Sequence, residues 1–159
     1  MDTLRVEAPK NTLIQQDVLI SFWPRIRKSL TPFIAIKERD SLNPVLIIFG
    51  QEGSEHIRLY LDRTDEHAQP SGEQIVLTSI CLAVAIQAHH ESEPTVGKSE
   101  AKGFGKRIPS GETIAFVCHN SGWDEAVVYS FIHHLNLMKY TEITRQAGAS
   151  AKSMLRLYS

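Results

Sequence analysis

Apolar positions change their period several times along the 159 residues, and each change marks a predicted element. Between Asn11 and Leu30, Leu13, Ile14, Val18, Leu19 and Phe22 recur near helical spacing behind an Asn11-Thr12 cap, predicting a helix that bends or ends at Trp23-Pro24. Phe33 to Lys37 (FIAIK) and His56 to Leu61 (HIRLYL) alternate, while Val45 to Phe49 (VLIIF) is a short apolar run after Asn43-Pro44. These patterns predict three strands. Gly50 and Gly53, between the second and third, suit a tight hairpin and make that pair antiparallel.

Pro70-Ser71-Gly72 punctuates the chain before a helix from about Glu73 to His90, which is apolar nearly all round. Such a helix belongs in the middle of the fold or at an oligomer interface. From about 91 to 111 the composition shifts to Gly, Ser, Pro, Lys and Glu, the signature of a long polar loop. Thr113 to His119 then reads as a strand, Asn120 to Asp124 as a turn and Glu125 to Met138 as an amphipathic helix. In 141–159, Ile143, Ala147, Ala149, Met154 and Leu157 form an apolar stripe around Gly148, predicting two short helices with a turn. The sum is a single α+β domain over 1–159. A small antiparallel sheet of three to four strands packs against a buried central helix, and a helical hairpin closes the chain.

The terminal pattern resembles a helix-turn-helix, with Arg145, Gln146, Lys152, Ser153 and Arg156 on its outward face; a structural helical hairpin has the same spacing. Lys102-Gly-Phe-Gly105 is similar to the opening of the first ribonucleoprotein motif of RNA-recognition domains, where a cation and an exposed aromatic flank glycines. The next aromatic of that motif is replaced by Lys106, and Pro109 and Gly111 follow closely. What remains is a basic loop with one Phe available for stacking. Together these resemblances imply a nucleic-acid-binding surface of Lys98, Lys102, Phe104, Lys106 and Arg107 in the loop, with Lys152 and Arg156 from the terminal segment.

Charge distribution sharpens that picture. The net charge is only −1, yet 97–110 and 139–159 each carry four cations against one carboxylate, a surplus of three apiece, which leaves −7 elsewhere. Residues 51–76 hold six of the carboxylates against two arginines. Unlike patches of this kind suit a polar binding surface or head-to-tail self-association.

Composition, at 42% apolar and 22% charged, is that of an ordinary globular domain. The longest apolar stretch falls short of the ~20 residues of a bilayer span, and the first residues lack the basic start and apolar run of a secretory signal. No membrane partner and a cytoplasmic location are therefore expected. Cys81 and Cys118 lack metal or disulfide spacing. Of seven histidines, the adjacent pairs His89-His90 and His133-His134 diverge around a helix, so neither a metal nor a cofactor is expected. Cys118-His119 offers a nucleophile beside a base, but neighbours on a strand face opposite ways. The sequence thus favours a non-enzymatic, nucleic-acid-associated accessory or regulatory protein. The alternatives are a self-assembling structural or adaptor protein acting through protein–protein interfaces, a homo-oligomer, and a small enzyme centred on Cys118.

Overall fold

A computed structural model describes residues 2–5, 14–63, 69–91, 95–96, 103–119 and 121–139. In chain order the main elements are β1 (Asp2–Arg5), α1 (Gln16–Leu30), β2 (Val45–Phe49), β3 (Glu55–Arg63), α2 (Gly72–His90), β4 (Thr95–Val96), β5 (Phe104–Arg107) and β6 (Thr113–Val117). A last helix, α3, covers residues 124–139. The strands form one antiparallel sheet in the order β1-β3-β2-β6-β5-β4. The protein is therefore α+β, with α2 packed against an antiparallel sheet, as the sequence predicts.

The sheet is covered on both faces. Every residue of β2 and β6 is buried, the pattern of central strands with no solvent face. Val45, Ile47, Phe49, Ala115 and Val117 meet Leu77, Cys81, Val84 and Ala85 of α2. Their neighbours Leu46, Ile48, Ile114 and Phe116 point the other way, against Leu19, Trp23 and Ile26 of α1 and Val127, Val128, Phe131 and Leu135 of α3. Three layers result, and α2 is an outer layer rather than the middle of the fold. Its inner side is core, while Ile75, Val76 and Ile86 are 59%, 64% and 50% exposed.

Polar groups lock the layers in register. Ser71 and Gln74 form a capping box at the start of α2, and the buried Gln74 amide also donates to the carbonyls of Pro44 (3.0 Å) and Leu61 (2.9 Å). One side chain thereby caps the helix and fastens it to β2 and β3. On the opposite face, Asp62 accepts from Trp23 Nε1 at 2.8 Å and from Arg27 Nε at 2.7 Å. Asp62 adopts φ 59°, a left-handed conformation that aspartate tolerates better than most residues.

Some sequence expectations change. Phe33 to Lys37 is not a strand: the chain makes two 3₁₀ turns, Thr31–Phe33 and Ile36–Glu38, with Pro32 inside the first. Only Ile34 of that alternating run is buried, so it has no face to give a sheet. Pro24 does not end α1, because Trp23 and Ile26 on either side are anchored in the core. Among the described residues the antiparallel sheet is extended by short strands at its two edges, β1 and β4. Two strands, β4 and β5, lie in the stretch expected to be a loop. The predicted terminal hairpin at 141–159 falls outside the described residues.

The strand β5 is built for close approach. A Cβ on Gly105 would stand 2.9 Å from Val84 Cγ1, 3.0 Å from Ala88 Cβ and 3.1 Å from the Val84 carbonyl oxygen. Neither a branched side chain nor helix backbone can yield cheaply, so α2 crosses β5 where no side chain intervenes. Gly105→Ala is expected to lower stability by about 1–3 kcal/mol, measured by urea denaturation, with secondary structure retained.

Candidate functional site

The outer face of α2 is the most distinctive surface among the described residues. Gly72, Val76, Ser79, Ala83, Ile86 and His90 recur alternately four and three residues apart, and every one of them is exposed, as is Ile75 beside Val76. No charged side chain occurs between Glu73 and His89. An ordinary surface helix turns a charged face outward; this one turns out aliphatic and small side chains. By length and composition it is also apolar enough to span a membrane, but here its inner side is packed on the sheet.

The spacing of the stripe reads the same from either end, although beside it the exposed Ile75 has the polar, exposed Gln87 as its counterpart. Reversed about Cys81, Gly72 exchanges with His90, Val76 with Ile86, and Ser79 with Ala83. Small residues flank the midpoint and larger aliphatics lie towards each end. At its C-terminal end, Arg107 Nη1 donates to the His89 carbonyl at 3.1 Å; in the first turn, Glu73 accepts from Asn43 Nδ2 at 2.9 Å and bonds the His119 ring. The helix thus carries a cation at one end and a carboxylate at the other, each favourable to its dipole.

The residues expected to bind nucleic acid are placed differently. Phe104 is 3% exposed, its ring 5.5 Å from that of Tyr129, so it belongs to the core and does not offer a face for stacking. Lys106 lies 5.8 Å from the Tyr129 ring centroid. Arg107 is exposed and donates to the Gly111 and His89 carbonyls. Lys106 and Arg107 are neighbours on a strand and emerge on opposite faces of the sheet, which follows from its two-residue period. Lys98, Lys102, Lys152 and Arg156 lie outside the described residues.

Cys118 is buried, and its thiol donates to Asp124 Oδ1 at 3.3 Å. His119 is turned to the α2 side, on Glu73, so this pair does not assemble a nucleophile and base. Asp124 points inward and also accepts from the Gly103 amide at 3.0 Å, joining the start of β5 and the end of β6 to α3. Burial pushes its carboxyl up to about 7, against the pull of the Cys118 and Gly103 hydrogen bonds. His89 is buried with Nδ1 2.9 Å from Thr113 Oγ1, while His134 Nδ1 donates to the Ser130 carbonyl at 2.8 Å. Burial, together with Arg107 and His90, holds the His89 ring below its ordinary range. No group of three metal-ligating side chains occurs among the described residues.

No family model, curated protein or solved structure matches this chain.

The raised Asp124 carboxyl sets a sign for pH dependence. Below the ordinary aspartate range the group is protonated whether folded or unfolded; above it, the unfolded chain ionises while the folded one keeps its proton up to about 7. The folded state binds the extra proton, so stability falls as pH rises through that window, by at most about 1.4 kcal/mol per pH unit, and levels off above it. Asp124→Asn is expected to flatten that slope, read from urea midpoints at successive pH values.

Proposed function

We propose that this protein is a non-enzymatic adaptor or structural subunit that works as a symmetric pair, two copies packing α2 against α2 in antiparallel fashion. The observation that carries the reading is the reversible stripe on the exposed face of α2. A twofold axis requires each surface to complement itself. An antiparallel crossing at Cys81 would set Ser79 against the partner's Ala83, letting the backbones approach closely, and Val76 against the partner's Ile86. It would also bring the Arg107 end of one helix beside the Glu73 end of the other, opposing unlike charges and opposite dipole ends.

A helix of this length is about 28 Å long, and specific pairs commonly bury ~1,200 Å² or more, so the pair needs more than the stripe itself. Contributions from the flanks, where Ile80 and Leu82 are half-buried, add to the strip. A pair of this kind presents two copies of every other surface to further partners, which is the working principle of an adaptor.

The nucleic-acid reading depends chiefly on cations outside the described residues, and the two described ones leave opposite faces of the sheet. Binding of that kind would show as a high 260/280 absorbance ratio in material purified without nuclease, with affinity falling steeply as salt rises.

Sedimentation at tens of micromolar protein is expected to show a dimer, and Ala83→Glu is expected to give a folded monomer. The substitution would bury a carboxylate against Ser79 on each side of the crossing and weaken the pair by at least ~3 kcal/mol, a loss of more than a hundredfold in affinity. A wild-type chain that sediments as a monomer throughout this range overturns the reading.

A further inference from the structure

On the side of the sheet away from α2, the start of α1, the β5–β6 turn and the end of α3 enclose a cavity of about 140 Å³. Its walls are mainly aliphatic, from Ile14, Val18, Ile108, Ile132 and Leu135, with Lys139 at the last turn of α3. That volume is close to the ~150 Å³ of an apolar cavity that accepts a benzene ring. Two polar residues of the turn, Ser110 and Glu112, also line it.

Those two residues have hydrogen-bonding capacity left over. Glu112 is 1% exposed; its Oε2 accepts from the Ile14 amide at 3.3 Å, but among the described residues Oε1 has no hydrogen-bond partner, and neither has the buried Ser110 Oγ. Buried side-chain oxygens are nearly always paired, because an unpaired one has given up water and received nothing. The turn that carries them is fixed by the backbone: Ile108 N donates to the Glu112 carbonyl at 2.9 Å and Gly111 N to the Ile108 carbonyl at 2.8 Å, with Gly111 at φ 93°. Both orphans are therefore held in place by the fold, beside one apolar cavity.

We infer that this cavity is a binding site for a small, mainly aromatic or aliphatic molecule bearing one neutral hydroxyl, which donates to Glu112 Oε1 and accepts from Ser110 Oγ. The apolar walls take the body of the ligand and the two orphaned oxygens orient its polar end, the usual division of labour in a small-molecule site. A neutral hydroxyl fits better than an ammonium. Lys139 lines the same cavity, and stripping a second charge of water costs more than the buried pair returns. Burial raises the Glu112 carboxyl above its usual range, Glu52 adding to the rise while His56 and Lys139 oppose it; a hydroxyl can donate to the carboxylate or accept from the acid. The site lies on the opposite side of the sheet from the proposed pairing surface, so either can fail without the other.

Phenol and toluene serve as probes, being nearly the same shape and differing in the hydroxyl. Calorimetric titration of the full chain is expected to show phenol binding at least about tenfold more tightly than toluene. Glu112→Met keeps the volume and removes the acceptor, so it is expected to erase that preference while toluene still binds. Val18→Phe, which fills the cavity from α1, is expected to abolish binding of both. Failure of wild-type protein to bind phenol, equal affinity for the two probes, or unchanged binding in Val18→Phe overturns the proposal. So does a phenol preference that survives in Glu112→Met; if that variant does not fold, the other measurements decide.

Discussion

Two central strands with no exposed position dictate much of this architecture. Each residue of β2 and β6 is buried, so neither face of the sheet can meet water and both need a helical cover. The α1 and α3 helices share one face, and among the described residues α2 alone serves the middle of the other. A single helix needs only its inner side for that task. The apolar character of the outer side of α2 is therefore surplus to the monomer, and this surplus makes it a candidate for function rather than packing.

Much of the architecture is legible in the sequence because hydrophobic period and turn chemistry agree there. The VLIIF run, the Gly50-to-Gly53 turn and the HIRLYL alternation specify the hairpin of β2 and β3 without outside help. The elements that escape such reading are those made by distant partners. Phe104–Arg107 looks like polar loop because its short FGKR segment has little pattern of its own; it becomes a strand by pairing with β6. Gly105, which by itself suggests a loop, is required because α2 passes so close. Conversely FIAIK alternates convincingly, yet only Ile34 finds a core.

The candidate sites were legible in unequal measure. That α2 is apolar all round is plain from its sequence, and so in principle is the reversible spacing of Val76, Ser79, Ala83 and Ile86. Which side would face outward was not, because that depends on the sheet beneath it. Glu112 gave no signal at all: one carboxylate in a Gly-Glu-Thr turn is unremarkable until both neighbouring helices close around it. Gln74 and Asp124 are similar, polar residues whose inward turn depends on backbone groups far away in the chain.

The pairing order of the strands also bears on how the chain is made. β3 follows β2 closely and can zip to it early, but the other edge of β2 is reserved for β6, near the far end of the described chain. During synthesis a ribosome therefore releases VLIIF long before Val117 emerges to meet Val45. For that interval an aliphatic strand has an open hydrogen-bonding edge, a template for any similar segment nearby. Growth temperature and expression rate set how many nascent chains share that exposed state at once.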